Sequence, residues 1–218
     1  MNINIQLNHV SKSYESRQLL NNISYQFTKN IYHIIGSNGV GKSTLLRLLI
    51  GLELPDSGSV IINGNWEVSS HNLMAKNIYY VPDDLEVYPF LTGREFLNWI
   101  AQARAPHGGE IENILECFHL NPHMNTKISN MSFGTKKKFL LATALIGTPD
   151  FIILDEPMNG LDQNSQSILL TILEKKSRNS GLILTCHEED KIAQLHPYKL
   201  QLSNQQLTEL KLERNKLV

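Results

Sequence analysis

The feature that most constrains the fold of this chain is a glycine-rich loop at residues 36–44, with the sequence GSNGVGKST. A short apolar run, Ile31–Ile35, precedes the loop and predicts a buried strand, and leucines at helical spacing follow it. Glycines allow backbone N–H groups to turn inward around phosphate oxygens, and the following helix adds its positive end. A strand, this loop and a helix in succession predict an α/β fold that binds nucleotide phosphates.

Two side chains of the loop carry the expected chemistry. Lys42 supplies a positive charge for the β- and γ-phosphates, and the hydroxyl of Ser43 is a ligand for Mg²⁺. The alternative is a glycine-rich turn without function, which the flanking strand and helix disfavour. We therefore expect the nucleotide to contact the whole loop, namely Gly36, Ser37, Asn38, Gly39, Val40, Gly41, Lys42, Ser43 and Thr44.

A second apolar strand, Phe151–Leu154, ends in two carboxylates, Asp155 and Glu156. If this strand runs parallel to the strand before the loop, Asp155 reaches the same sheet edge as the phosphates. There Asp155 would hold Mg²⁺, directly or through water, and Glu156 would polarise the attacking water. Taken alone, an acidic pair at a strand end is often a solvated loop or a helix cap. The glycine-rich loop upstream favours the catalytic interpretation.

The remaining pattern alternates short apolar strands with helices, which predicts a mainly parallel sheet covered on both faces. Alternating apolar residues near the N-terminus indicate half-buried strands, and Asn63-Gly64 indicates a hairpin turn. Strands are also expected at Ile78–Val81 and Gly181–Thr185, with an edge strand at residues 198–202. Helices are expected at residues 92–103, 111–120, 132–146 and 164–176.

Composition and charge narrow the class of protein. The chain has 218 residues, of which 41% are hydrophobic and 19% charged, with a formal net charge of −1. A chain without a basic field is not expected to bind nucleic acid. The first ten residues have neither the basic start nor the apolar run of a signal peptide, so none is expected. The longest apolar stretch, residues 139–154, is interrupted and shorter than the ~20 residues of a membrane span. Cys117 and Cys186 are expected to be reduced thiols of a cytoplasmic protein.

Five segments in fixed order resemble the ABC ATPase family. They are GSNGVGKST at residues 36–44, MSFGT at 131–135, FIILDEP at 151–157, NGLD at 159–162, and an apolar strand followed by His187. The resemblance covers nearly the whole chain. It implies an α/β P-loop NTPase fold with a mainly parallel sheet, flanking helices, an N-terminal antiparallel β part and a helical insertion. A single domain would then contain a nucleotide-binding core, residues 1–83 and 148–218, and a helical subdomain at about 84–147.

The resemblance also implies an ATPase that hydrolyses ATP to ADP and phosphate with Mg²⁺. In this family two subunits associate head to tail, and each ATP lies between one loop and the signature segment of the partner. That segment corresponds here to Ser132, Phe133, Gly134 and Thr135. From the residues alone, Ser132 fits a helix N-cap better, and Lys136, Lys137 and Lys138 fit a solvated helix face.

Three further residues take roles from the resemblance. His187 corresponds to the switch histidine that contacts the γ-phosphate and the catalytic water, although a lone histidine after a strand is usually structural. Tyr14 corresponds to the aromatic residue that stacks on adenine, although a structural surface tyrosine is the alternative. Asp162 belongs to the loop that communicates across the dimer.

Two departures from the family pattern affect the expected site. Asp83 stands where the family usually has glutamine, and a carboxylate there remains a possible Mg²⁺ ligand. Phe133 replaces a usual glycine, and a helix start does not require the positive φ that a phenylalanine avoids. An acidic residue at position 83 and a one-glycine signature resemble bacterial exporter ATPases, as does the segment at residues 88–95.

Together these features predict the motor subunit of an ABC transporter, of the exporter type. It would lie on the cytoplasmic face of the cell membrane and bind an integral membrane subunit and a second ATPase subunit, as a homodimer or heterodimer. Candidates for the membrane-subunit contact are Leu85, Val87, Tyr88 and Phe90, whose alternative role is packing between subdomains. A soluble ABC ATPase that remodels ribosomes or nucleic-acid complexes is the alternative, but paired domains, coiled-coil insertions and basic extensions are missing. A P-loop kinase would not explain MSFGT and His187 together.

Overall fold

The computed structural model describes residues 3–64, 66–68, 77–84, 88–104 and 108–210. Contacts divide the chain into two compact units, which we call unit 1 (Met1–Lys76 with Thr185–Val218) and unit 2 (Asn77–Leu184). The division at residues 84 and 147 that the sequence suggests stays a prediction. The longer elements are strands and α-helices that alternate along the chain, as the sequence predicts.

The strands are β1 (Asn4–Tyr14), β2 (Arg17–Thr28), β3 (Ile31–Ile35), β4 (Ser57–Ile62), β5 (Trp66–Glu67), β6 (Ile78–Val81), β7 (Phe151–Leu154), β8 (Gly181–Thr185), β9 (Tyr198–Ser203) and β10 (Gln206–Glu209). The α-helices are α1 (Lys42–Ile50), α2 (Gly93–Arg104), α3 (Glu110–Cys117), α4 (Phe133–Leu145), α5 (Gln163–Ser177) and α6 (Glu189–Ala193).

In unit 1, four strands form an antiparallel sheet in the order β2-β1-β4-β5. The period-2 alternation of β1 buries Ile5, Leu7 and Val10, as expected for a strand with one covered face. The predicted hairpin is confirmed, since Asn63 and Gly64 both have positive φ (53° and 73°) between β4 and β5.

A second group of strands in unit 1 has the order β10-β9-β3. Strand β3 runs parallel to β9, with Tyr32 opposite Tyr198, and β10 pairs antiparallel with β9. The prediction that residues 198–202 form an edge strand is therefore wrong. Asn204 and Gln205 both adopt positive φ and turn the chain back, so that β10 covers the free side of β9.

Helix α1 follows the glycine-rich loop and buries its leucines, including Leu45 and Leu49. The helix ends at Gly51, which caps it in the left-handed conformation with φ 75°. Leu52, which the periodicity assigns to the apolar face of α1, lies beyond this cap and is exposed. The left-handed turn rotates Leu52 away from the buried side.

In unit 2, strands β6, β7 and β8 are parallel, with β7 in the centre. Every residue of β7 and of β8 is buried, which matches the continuous apolar runs in the sequence. The predicted helices of this unit are present as α2 to α5, within a few residues of the expected bounds. Thr92 and Glu95 form a capping box at the start of α2, with mutual hydrogen bonds of 2.8 and 3.3 Å.

Two further expectations can be compared with the described residues. Cys117 and Cys186 are both free thiols, as predicted. Within the described ranges, no helix is both long enough and apolar enough to span a membrane.

Candidate functional site

The predicted site residues are divided between the two units, and each unit is described by itself. Unit 1 contains Tyr14, the glycine-rich loop from Gly36 to Thr44, and His187. Unit 2 contains the acidic and signature residues, which are Asp83, Ser132, Phe133, Gly134, Thr135, Asp155, Glu156 and Asp162.

The glycine-rich loop requires glycine at both ends for different reasons. A Cβ on Gly36 would lie 2.5 Å from the carbonyl oxygen of Leu202, so the close backbone approach excludes any side chain. Gly41 has φ 114° and forms the N-cap of α1, a conformation that other residues rarely adopt. The loop thus delivers the first N–H groups of α1 toward the space that a phosphate would occupy.

The loop lysine is held inside the loop. Lys42 is 9% exposed, and its Nζ donates to the carbonyl oxygens of Gly36 at 2.7 Å and Ser37 at 3.3 Å. These bonds place the ammonium group at the centre of the loop. A phosphate oxygen that replaced the carbonyls would form a charge-assisted bond with the same group.

The structure brings His187 to the loop. A cavity of about 240 Å³ is lined by the loop residues Gly36, Ser37 and Lys42, and also by His187 and Glu189. All of these residues belong to unit 1. The loop and the histidine therefore share one cavity, as expected for residues that contact the same phosphate.

A second histidine supports the segment that carries His187. His33 lies within β3, is fully buried, and donates from Nε2 to the carbonyl oxygen of Cys186 at 2.9 Å. Burial is the largest effect on His33 and lowers its pKa below the ordinary value of 6.5, with nearby Lys42 and Lys199 acting in the same direction. The neutral ring thus connects β3 to the residue directly before His187. The sequence did not indicate this role, because a single histidine within an apolar strand matches no motif and no periodic pattern.

Tyr14 and Arg17 flank the loop of unit 1. The Tyr14 hydroxyl hydrogen-bonds to Glu53, and Arg47 of α1 donates to the same hydroxyl at 3.2 Å. These bonds orient the tyrosine, whose ring remains 41% exposed. Arg17, which the sequence did not single out, donates to the carbonyl oxygen of Gly39 at 2.9 Å.

The acidic pair follows the buried strand β7 directly. Asp155 is 3% exposed and Glu156 is 7% exposed, and the Asp155 N–H donates to the carbonyl oxygen of Val81 at the end of β6. Glu156 has a φ of 44°, which is uncommon for a residue with a side chain. Such backbone strain persists where the surroundings fix the conformation, and it is frequent at functional sites.

Asp83 lies two residues after the end of β6 and is half exposed. Its Oδ1 accepts a hydrogen bond of 3.1 Å from Nδ2 of Asn159, in the NGLD segment. The same oxygen lies 3.6 Å from Nζ of Lys137. The carboxylate is therefore held in a fixed orientation near the acidic pair.

The prediction that residues 136–138 form a solvated helix face is wrong for Lys137. Its side chain is 0% exposed, whereas Lys136 and Lys138 are partly exposed. Lys137 shares a buried stripe of α4 with Leu141 and Leu145, at positions i, i+4 and i+8. The spacing of Lys137 from the two leucines was the sequence signal for its burial. The run of three lysines instead suggested that all three side chains are exposed to solvent.

The signature segment forms the start of α4. Ser132 is the N-cap and accepts a hydrogen bond of 3.2 Å from the Thr135 N–H, so the capping role is confirmed. Phe133 is the first helical residue and has no positive φ. Its ring packs on Gly160, where a Cβ would lie 2.1 Å from the ring, and a Cβ on Gly134 would lie 2.8 Å from the Gly160 carbonyl oxygen. Gly160 of the NGLD segment therefore leaves the space that the Phe133 ring occupies.

Asp162 caps α5. It accepts hydrogen bonds from the Ser165 N–H at 2.8 Å and from Lys138 at 3.1 Å. The backbone bond is the largest cause, and together these contacts lower the pKa of Asp162 to about 2. Helices α4 and α5 are thus joined by an ion pair beside the signature segment.

Comparison with known proteins adds an independent finding. A family model described as "ABC transporter" matches residues 20–159. The chain is 31% identical over 211 residues to the uncharacterized ABC transporter ATP-binding protein YybJ of Bacillus subtilis, covering 93% of this chain and 94% of that one. It is 35% identical over 178 residues to the zinc import ATP-binding protein ZnuC of Rickettsia bellii, covering 79% and 71%. It is 30% identical to the Nod factor export ATP-binding protein I of Rhizobium etli, covering 84% and 60%.

Solved structures give the same result for the fold. An ATP-binding subunit of an ABC transporter superposes with a TM-score of 0.85 at 26% identity, covering 95% of this chain and 90% of that one. A dimeric ATP-binding cassette in a post-hydrolysis state, bound to ADP and Pi, superposes with a TM-score of 0.81 at 25% identity, covering 95% and 98%. These similarities confirm the predicted fold class, while the roles of individual site residues stay predictions.

The burial of His33 makes the stability of the chain depend on pH. Because the folded state lowers the pKa of His33, the unfolded state binds a proton more readily, and stability is lost as pH falls below about 6.5. His33→Gln keeps a donor for Cys186 and removes this titration. Urea unfolding from pH 7.5 to 5.5 should therefore give a smaller loss of unfolding free energy for this variant than for the wild type. An unchanged dependence of the unfolding free energy on pH for His33→Gln would contradict the assignment.

Proposed function

The chain belongs to the ABC transporter family of ATP-binding proteins, and from this premise we propose that it is the ATP-hydrolysing motor of a transporter. Membership of this family and the similarity to an ATP-binding cassette in a post-hydrolysis state establish that the chain is an ATPase. The observation that carries the proposal is the cavity in which the glycine-rich loop, Lys42 and His187 meet. The relatives named above are transporter subunits, which favours a transporter over a ribosome or nucleic-acid remodeller.

ATP binding begins with the exchange of partners at Lys42. In the structure its ammonium donates to two loop carbonyls, and the β- and γ-phosphates would take their place. The N-terminal N–H groups of α1 add donors that already point into the loop. Tyr14, oriented by Glu53 and Arg47, offers a ring on which adenine stacks.

We propose that Ser43, Asp83 and Asp155 would hold a magnesium ion together with ATP, as the family resemblance implies. Among the described residues, no three His, Cys, Asp or Glu side chains converge as a metal cluster, and Mg²⁺ commonly binds one or two carboxylates plus substrate phosphates. Ser43, Asp155 and Asp83 supply a hydroxyl and carboxylates, which are ligands of the required kind. When bound, Mg²⁺ neutralises charge that develops on the phosphates.

We assign the water-activating role to Glu156 and His187. Glu156 is nearly buried and directly follows the buried strand β7, and in the proposed mechanism its carboxylate would accept a proton from the attacking water. His187 lines the cavity beside Lys42 and would contact the γ-phosphate.

Dimer closure completes the site in the proposed mechanism. Ser132 and the N–H groups at the start of α4 would contact the γ-phosphate held by a partner subunit, with Phe133, Gly134 and Thr135 in the same segment. Asp162, which joins α4 to α5, would transmit closure between the subunits. One solved relative is a dimer, which supports this arrangement.

A cluster of exposed aromatic rings in unit 2 is our candidate for the membrane-subunit contact. Tyr88 lies 5.3 Å from Trp99 and 6.0 Å from Phe90, measured between ring centroids, and all three are about half exposed or more. Exposed apolar clusters commonly mark interaction sites. Leu85 and Val87 lie outside the described residues. Binding there would hold the chain on the cytoplasmic face of the membrane.

We further propose that transport is directed out of the cell. The relatives include proteins named for import and for export, so similarity alone does not choose. The two exporter-like departures both have specific partners in the structure. Asp83 contacts Asn159 and Lys137, and Phe133 packs on Gly160. These partners support a site adapted to the departures.

The mechanism predicts that Glu156→Gln forms an ATP-dependent dimer. The variant binds ATP but hydrolyses it slowly, so the closed state accumulates. Size-exclusion chromatography with and without ATP·Mg²⁺ measures this shift, and adding Lys42→Ala should abolish it. A Glu156→Gln chain that binds ATP yet stays monomeric, even with its membrane partner supplied, contradicts the mechanism.

The aromatic cluster can be tested by affinity purification from membranes. We expect Phe90→Ser to lose most of the membrane protein that co-purifies with the wild type. Tyr198→Ser, which removes an exposed aromatic ring from unit 1, is the matched control and should retain it. Recovery of only ribosomes or nucleic acid with the wild type would overturn the transporter assignment.

The direction of transport can be read from small molecules in cells and medium. A strain without this ATPase should accumulate the exported compound inside the cells, and expression of Glu156→Gln should not restore its release. A compound that is instead depleted in cells and left in the medium would indicate import.

A further inference from the structure

A buried lysine lies beside the acidic strand ends of unit 2. The side chain of Lys137 is fully buried, and its Nζ donates to the carbonyl oxygen of Pro82 at 3.3 Å and lies 3.6 Å from Asp83 Oδ1. Burial is the largest effect and lowers its pKa, while Asp83, Asp155 and Glu156 oppose that effect. Because a buried ammonium is destabilising unless it is paired, Lys137 requires a carboxylate or carbonyl partner at this position.

Lys137 lies on the buried side of helix α4. Lys137 follows the N-cap Ser132 by five residues and lies on the same buried stripe as Leu141 and Leu145. The leucines hold that stripe against the interior of unit 2. The lysine is therefore presented from the buried side of the helix that begins with the signature segment.

Asp83 is fixed from two directions. Its side chain is 47% exposed, and an exposed carboxylate ordinarily samples several rotamers. Here Oδ1 accepts from Asn159 and faces Lys137, which connects the end of β6 both to the NGLD segment and to α4. A carboxylate held in this way is preorganised for a ligand.

We propose that Lys137 is a positioning residue of the ATPase site, which anchors the Asp83 carboxylate and ties it to the helix that begins with the signature segment. The proposal rests on the ATPase function proposed above. The ammonium also offsets repulsion among Asp83, Asp155 and Glu156, which lets three carboxylates occupy one region. Lys137 itself touches neither the expected nucleotide nor the water.

The pair can be tested without nucleotide by urea unfolding of the full chain. We compare the wild type, Asp83→Asn, Lys137→Met and the double variant. Asp83→Asn should lower the unfolding midpoint in the wild-type background, because it leaves the buried ammonium without its carboxylate. In the Lys137→Met background the same change should lower the midpoint much less or raise it.

Neighbouring residues provide matched controls. Lys136→Met and Asp84→Asn change a lysine and a carboxylate one position away, and both should keep the wild-type midpoint. Equal shifts from Asp83→Asn in the two backgrounds would overturn the proposal. If Lys137→Met does not fold, Asp83→Asn against Asp84→Asn decides the question, and equal midpoints for these two also overturn it.

Hydrolysis and nucleotide binding test the positioning role itself. Lys137→Met and Asp83→Asn should each reduce kcat about 10- to 100-fold, while KM and the affinity for a fluorescent ATP analogue stay within about 2-fold. The double variant should be no slower than the slower single variant. Unchanged kcat in Lys137→Met, or losses that multiply in the double variant, would contradict the role. A wild-type chain without ATPase activity would refute the proposed function, whereas the unfolding cycle would still decide whether the pair is coupled.

Discussion

A strand packed in the core fixes the position of the residues that directly follow it, because its neighbours in the sheet and the core hold its last residues in place. Strand β7 has four buried residues and is followed at once by Asp155 and Glu156. Strand β3 is followed at once by the glycine-rich loop. The two strands thus position the carboxylates in unit 2 and the glycine-rich loop in unit 1. The rigidity of the buried strands is what fixes these end groups.

Each of the two units contains a buried lysine. Lys42 and Lys137 each donate to main-chain carbonyls, which compensate part of the cost of removing an ammonium from water. Polar groups held in this way need little reorganisation when charge develops nearby, and this is the main source of electrostatic catalysis. Lys42 is held by the loop that it serves, whereas Lys137 depends on Asp83 from another segment.

Departures from a family pattern have structural partners here. Phe133 packs on Gly160, and Asp83 contacts Asn159 and Lys137. Each of these contacts joins a departing residue to the NGLD segment or to α4. The departing residues and their partners therefore form a connected set of contacts.

The sequence by itself determined the fold class, most strands and helices, the hairpin at Asn63-Gly64 and the family, because these depend on local periodicity and on motifs in fixed order. Only the tertiary structure decided that β10 covers β9, that Lys137 is buried, and that His33 supports the segment before His187. These features depend on which distant segments meet. The sequence does not specify whether a given lysine or histidine is exposed or buried. Its neighbours in the folded structure decide whether the side chain is solvated, paired or neutral.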